Sequence, residues 1–308
     1  MVEEVYIHRL AGMLMKIGVI HESNLPTPSS RLLIEAIKKL GHESYYMPFS
    51  YISVRIDRKG LVLKIGSKSF DIDAGLLRSI GFAPSFEQFM GRLALFMGIE
   101  EEGIYLMNSI RGLLNARNKF ITLLKLYRSG IPVPRSLLTE NLAEAYRLTT
   151  QWNKVVVKPL VGSRGYGQVL VDNADLGYRI FRTCLQFKQF IFLEEYMDKP
   201  SRDIRLFVVG ERVVAAMYRY SPPDSWKTNI AQGGRAEPMK PPPELEELAV
   251  KAVKILELDY AGVDVLESNG GYYVLEANGS PGFEGLMKVT GINIPHEIVS
   301  YLVEKVKR

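Results

Sequence analysis

Glu276 and Asn278 stand two residues apart in VLEANGSPG (274–282). A carboxylate and a carboxamide at that spacing share one face of a β-strand, because side chains alternate sides. Asp264 lies in another apolar run, AGVDVL (261–266), and SNGG (268–271) supplies a turn between the two runs. Counting outward from the turn makes Asp264 and Glu276 cross-strand neighbours, although sequence does not fix the register. Buried carboxylates are costly unless neutralised. A hard divalent cation would neutralise them, since Mg²⁺ takes a few carboxylate oxygens together with waters and phosphates. Salt bridges to lysine or arginine are the alternative.

A second feature is GSRGYG, comprising Gly162, Ser163, Arg164, Gly165, Tyr166 and Gly167. A dinucleotide-binding loop runs from a strand into a helix. Here the flanking segments are VVV (155–157) and VLV (169–171), so the loop closes a β-hairpin. Its glycines let backbone N–H groups approach an anion, and Lys158 on the entering strand could reach phosphate oxygens. A plain glycine-rich hairpin would look the same, so the loop alone leaves phosphate binding open. Combined with the acidic strands, it points to a Mg–nucleotide site.

The elements that must position these residues fall into three stretches. Residues 15–111 alternate strand and helix, as expected for a small, mostly parallel α/β domain. Strands are expected at 16–20, 61–65, 76–80 and 104–107. Helices are expected from a Ser29/Ser30 cap to Leu40, ended by Gly41, and over 86–97. A helix over 117–129 stops at GIPVP, and the glycine hairpin follows within the stretch 112–190. Residues 191–308 are β-rich hairpin sequence interrupted by a helix at 243–256, an α+β domain with an antiparallel sheet. Residues 1–14 lack the basic start and apolar core of a secretory signal and read as an extension or an upstream start.

Composition narrows the function classes. The 308 residues exceed one compact core, and 47% hydrophobic with 24% charged residues is ordinary for a globular protein. No apolar run approaches the ~18 residues of a membrane span. A net charge of +5 favours anionic ligands, but no dense Lys/Arg block or aromatic–basic motif points to nucleic acid. The single cysteine, Cys184, fits a reducing cytoplasm and reads as a small buried hydrophobe. His8, His21, His42 and His296 show no zinc-ligand spacing.

Lys119, Lys158, GSRGYG, LEEYM (193–197), RDIR (202–205), WKTNIAQGG (226–234), AGVDV and LEANGSPG occur in this order. In that order the chain resembles an ATP-grasp ligase, and more narrowly the RimK-type glutamate ligases. That group includes ribosomal-protein modifiers and archaeal enzymes that add glutamate to a coenzyme; VVAAMYR with WKTN and QGGR is similar to the archaeal branch. The resemblance covers residues 15–308 and implies an ATP-grasp fold. It implies that Lys119 and Lys158 hold the ATP phosphates under the GSRGYG lid. Glu195, Tyr196 and Met197 would read adenine through backbone groups, and Asp203 would bind ribose. Lys227 and Asn229 would reach the terminal phosphates or the metal, while Asp264, Glu276 and Asn278 would bind two Mg²⁺ ions, with Mn²⁺ as a substitute. Asp203 pairing with Arg202 or Arg205 is the structural alternative.

The implied reaction is ATP-dependent amide formation through an acylphosphate, with L-glutamate as the amine and an acidic acceptor. That acceptor would be a coenzyme tail, a protein C-terminus or a carrier-protein intermediate. Arg219 and Arg235 are candidates for carboxylate or acylphosphate contacts, because guanidinium grips such groups bidentately. Ser280 and Gly282 lie where a turn and helix start would offer N–H groups to a substrate carboxylate. A homo-oligomer fits such enzymes, and a non-catalytic ATP-binding regulatory module is the rival from another class.

Overall fold

The computed structural model describes residues 14–58, 60–162, 166–223, 226, 228 and 235–307. The described chain begins with β1 (Lys16–His21), α1 (Pro28–Lys39) and β2 (Glu43–Pro48). Then come β3 (Ile52–Asp57), β4 (Gly60–Ile65), β5 (Lys68–Ser69), β6 (Ala74–Leu77), α2 (Phe86–Glu101) and β7 (Tyr105–Met107). Strands β2-β1-β6-β7 form a wholly parallel sheet. Ile17, Val19 and Ile20 of β1 are fully buried, as a strand covered on both faces requires.

Two local expectations are corrected here. The cap of α1 is Thr27, whose Oγ1 accepts from Ser30 N at 3.3 Å, and not Ser29 or Ser30. Pro28 takes the first helical position and places the cap at Thr27, two residues before Ser29. The strand expected at 61–65 pairs antiparallel with β3 and β5 in its own sheet. The β3–β4 connection is far too short for a parallel crossover.

A helix follows where none was expected, α3 (Ile110–Arg117), and after it α4 (Lys119–Arg128) fills the span expected at 117–129. Asn118 leaves helical geometry, and its Oδ1 accepts from Ile121 N at 3.1 Å. Lys119 thereby becomes the first residue of a new helix. Next come β8 (Ser136–Thr139), α5 (Leu142–Trp152), β9 (Val155–Val157), β10 (Val169–Val171), α6 (Ala174–Gln186) and β11 (Ile191–Glu195). Their antiparallel sheet runs β10-β9-β11-β8 and packs Val155, Val157 and Leu193 with Phe181 of α6. This sheet extends through β11, past the boundary placed after residue 190. Cys184 is half-buried against the same cluster.

The last unit comprises β12 (Arg202–Val209), β13 (Arg212–Tyr220), β14 (Arg235–Pro238), α7 (Pro243–Ile255), β15 (Tyr260–Ser268) and β16 (Gly271–Asn278). Helices α8 (Glu284–Thr290) and α9 (Ile294–Lys307) end it. The antiparallel order is β14-β13-β12-β15-β16. One face buries Ile204, Leu206, Val208, Val263 and Val265 under Leu245, Ala249 and Val253 of α7. On the other, Phe207, Tyr260 and Phe283 join a core shared with β1, α1 and α9. Each such buried aromatic contributes about 1.5–3 kcal/mol, so the first and last units are welded rather than merely adjacent. No described helix is long and apolar enough to cross a membrane.

Candidate active site at the junction of two clefts

The inner face of the five-stranded sheet carries a ladder of charges. Register pairs Asp203 with Arg219, Arg205 with Asp264, and Asp264 with Glu276. The last pairing depends on a β-bulge. Ser268 faces Gly271 and Val265 faces Val274, but Asp264 faces Glu276, so Leu275 is the extra residue. Without it Asp264 would face Leu275, and Glu276 would point to the α7 side. Asn278 shares Glu276's face by alternation, opposite Gly262. A Cβ on Gly262 would sit 2.2 Å from Arg205 Nη1, so the arginine crosses the sheet only because that residue is glycine.

Arg219 donates from Nε and Nη2 to the Asp203 oxygens at 2.7 and 2.8 Å, and its Nη2 lies 3.1 Å from Asp264 Oδ2. Burial disfavours the charged guanidinium, but Asp264 and Asp203 outweigh it and raise the Arg219 pKa. Arg205 Nη2 donates to Asp264 Oδ2 at 3.2 Å. Its Nε lies 2.7 Å from Oδ1 without hydrogen-bond alignment, which leaves that buried oxygen an ionic neighbour but no donor. Burial lifts the Asp264 pKa to about 6 against the pull of both arginines.

Lys119, placed by the Asn118 break, donates to Glu276 Oε2 at 2.6 Å. Burial works against an ionised Glu276, yet the Lys119 ammonium holds its pKa well below the usual carboxylate range. Lys158 donates to Glu194 Oε2, while the buried Glu194 Oε1 has no partner among the described residues. Both phosphate-binding lysines expected from the sequence are thus clamped to carboxylates. The alternative of lysine and arginine salt bridges is realised at Asp264 and Glu276. The donors still suit Mg²⁺: hard oxygens, one of them buried without a donor, and the Asn278 carboxamide, whose Oδ1 accepts from Ser280 N at 2.9 Å. Among the described residues no group of three or more His, Cys, Asp or Glu side chains is placed to hold a metal. The set is therefore two carboxylates and one carboxamide.

Two clefts meet here. The first, ≈ 860 Å³ including its open side, is lined by Lys158, Glu194–Met197, Asp203 and Tyr166. The second, ≈ 2300 Å³, is lined by His21, Arg78, Phe82, Arg117, Arg205 and the 277–286 region. Lys119, Gly162, Arg219 and Glu276 line both. The hinge of the first is partly committed: Glu195 N donates to Arg135 O and Tyr196 N to Lys154 O, each at 2.9 Å. Met197 N–H has no partner among the described residues. Met197 and Glu194 both line this cleft.

The remaining expected residues sort as follows. Tyr166 and Gly162 line the first cleft, and Gly167 sits between them and β10 with φ +73°. Asp203 is buried and pairs with Arg219, not Arg202 or Arg205, and also accepts from Thr228 Oγ1. Ser280 and Gly282 line the second cleft. The helix start near them is already engaged, since Phe283 N donates to Glu284 Oε2 at 3.0 Å. Arg235 is not brought to either cleft; it is exposed, paired with Glu237 at 2.8 Å and stacked over Tyr220. Ser163, Arg164, Gly165, Lys227 and Asn229 lie outside the described residues.

Arg205, Glu194, Arg78 and Lys199 were missed by sequence reasoning. Glu194 pairs with Val156 across β9–β11, on the side from which Lys158 reaches it; that neighbourhood needs the register. Arg78, 6% exposed, donates to Tyr260 Oη at 2.9 Å and Pro281 O at 2.7 Å, tying the first unit to the loop after Asn278.

Comparison with known proteins places these residues in context. The RimK-like ATP-grasp domain matches residues 116–302. A tetrahydromethanopterin:alpha-L-glutamate ligase of Methanosarcina acetivorans is 29% identical over 307 residues, spanning 89% of this chain and 94% of that protein. A probable alpha-L-glutamate ligase of Legionella pneumophila is 35% identical over 217 residues, 70% of this chain and 72% of that one. Among solved structures, the ATP-grasp ligase PsnB with a minimal precursor superposes with a TM-score of 0.77. It is 22% identical and covers 96% of this chain and 100% of its own, a likeness of fold.

Proposed function

This chain belongs to the RimK-like ATP-grasp family, and we propose that it is an ATP- and Mg²⁺-dependent ligase joining L-glutamate to an acidic acceptor through an acylphosphate. The observation that carries this reading is the meeting of a cleft lined by lysines and the 194–197 hinge with a larger, arginine-lined cleft at Lys119, Arg219 and Glu276. ATP occupies the first cleft, its adenine edge against Met197 N–H and Glu194, its phosphates toward Lys158 and Lys119. The acceptor occupies the second, with its reacting carboxylate brought to the junction.

Carboxylate attack on a phosphoryl group sets anion against anion, so cations are needed around the transferring group. Lys119 and Lys158 supply them by exchanging a carboxylate partner for a phosphate. Asp264, Glu276 and Asn278 would hold Mg²⁺, which when bound offsets charge on the phosphates. Arg219, fixed bidentately by Asp203, keeps positive charge at the junction without moving. The resulting acylphosphate is then attacked by the glutamate amine, giving amide, ADP and phosphate. Gly162 and Tyr166 belong to the lid that would keep water away from that intermediate. Lys227 and Asn229 remain candidates for the terminal phosphates.

Support for glutamate comes from the two relatives named as alpha-L-glutamate ligases. A small-molecule coenzyme tail is the acceptor favoured by the tetrahydromethanopterin:alpha-L-glutamate ligase of Methanosarcina acetivorans, one of the relatives that span 89% of this chain. The test is ADP release with ATP, Mg²⁺ and L-glutamate across a panel of carboxylate acceptors, including coenzyme tails and peptide C-termini, with product mass. One added glutamyl residue supports the assignment. Turnover only with another amine overturns it.

A further inference from the structure

Every cation lining the nucleotide cleft but one is ion-paired among the described residues. Lys119 is held by Glu276, Lys158 by Glu194, and Arg219 by Asp203 and Asp264. Lys199 lines the same cleft, is partly buried, and makes no ion pair, hydrogen bond or ring contact among the described residues. It lies just past the hinge, between Pro200 and Asp198, where the chain crosses from β11 to β12. The charges facing it are Asp203 on β12, Arg219 on β13 and Lys158 after β9. Asp203 already accepts three hydrogen bonds from Arg219 and Thr228, so it does not serve as the partner.

From this arrangement we propose that Lys199 is a nucleotide-binding residue whose ammonium donates to phosphate oxygens of the bound nucleotide. The inference rests on the nucleotide assignment of the first cleft. An ammonium offers three donors and no acceptor, so an oxygen-rich anion is the ligand that satisfies it. Burial lowers the Lys199 pKa, with Arg219 and Lys158 acting in the same sense and Asp203 against it. A group in that condition gains on meeting an anion. Because the lysine has no existing partner, nothing is broken to recruit it, unlike Lys119 and Lys158. It is therefore the cation available to the incoming phosphates before any pair opens.

The experiment is calorimetric titration of ADP, AMP and adenosine, with Mg²⁺, into the full chain carrying Lys199→Met or Lys199→Arg. A charge-assisted hydrogen bond lost from a partly buried site weakens ADP binding by about tenfold or more. Adenosine binding should change by less than about twofold, Lys199→Arg should retain most of the ADP affinity, and the melting temperature should not fall. In alkaline buffers the wild type should take up a proton on binding ADP, read as a heat that depends on buffer ionisation. Lys199→Met should lose that uptake. Unchanged ADP affinity in Lys199→Met, or an equal loss for adenosine, would overturn the proposal. Failure of the wild type to bind ADP would instead overturn the nucleotide assignment itself.

Discussion

Asn108→Ala tests how the parallel sheet positions the catalytic strand. Asn108 is fully buried and hydrogen-bonds four times to the last unit. Its Nδ2 donates to Tyr260 O at 2.8 Å and Gly279 O at 2.6 Å. Its Oδ1 accepts from Asp259 N at 2.6 Å and Tyr260 N at 3.1 Å. Truncation orphans two carbonyls and two N–H groups, each costing about 1–3 kcal/mol if left unsatisfied. A water entering the vacated space can satisfy two to four of them, so the expected loss is ~3 kcal/mol rather than the sum. Asn108→Asp keeps both acceptor contacts but sets a buried carboxylate against two carbonyls, so at neutral pH it should be at least as harmful. Urea unfolding at unchanged slope gives the stability term. Because Gly279 leads into Ser280, the acceptor KM should rise while the ATP KM holds. A loss below ~1 kcal/mol with an unchanged acceptor KM would refute the reasoning.

Three further outcomes follow from the same geometry. Glu276→Gln removes the charge beside Lys119 while keeping side-chain volume; ligation should fall by at least ~100-fold while circular dichroism is unchanged, and near-native turnover would remove Glu276 from the site. Deleting Leu275 removes the bulge but leaves Glu276 directly after Val274 and still opposite Asp264, so acceptor-dependent ADP release should survive; its loss would show that the bulge does more than bring Glu276 opposite Asp264. Burial lowers the His21 pKa below 6.5, helped by Arg78 and opposed by Glu22. The unfolded chain then binds more protons between the folded value and 6.5, so stability is greatest above 6.5 and falls as pH drops towards the folded value. Melting curves from pH 5 to 8 should show a shallower acid slope in His21→Gln than in the wild type; identical slopes would contradict this.

Alternating apolar runs and their turns made the sheets legible, and the polar residues inside those runs marked the site. What the sequence left hidden has three physical sources. The Leu275 bulge is one unpaired residue with no composition signal, yet it decides which face Glu276 takes. Arg205 enters the sequence reading only as an alternative partner of Asp203, and its pairing with Asp264 shows once Gly262 is seen to leave room for it across the sheet. The cap at Asn118 starts α4 at Lys119 rather than at 117 and leaves the unexpected α3 before it, because a side-chain cap competes locally with the helix ladder. Arg235 errs the other way. Its type suited carboxylate binding, but the edge strand β14 holds it in solvent.

The central claim is that phosphoryl transfer to the acceptor carboxylate precedes amide formation. It is tested most directly with an acceptor whose reacting carboxylate carries oxygen-18, turned over with ATP, Mg²⁺ and L-glutamate and analysed by mass spectrometry of the released phosphate. The account predicts ADP as the nucleotide product and one labelled oxygen in each phosphate. Unlabelled phosphate, or AMP with labelled oxygen in AMP, would contradict it.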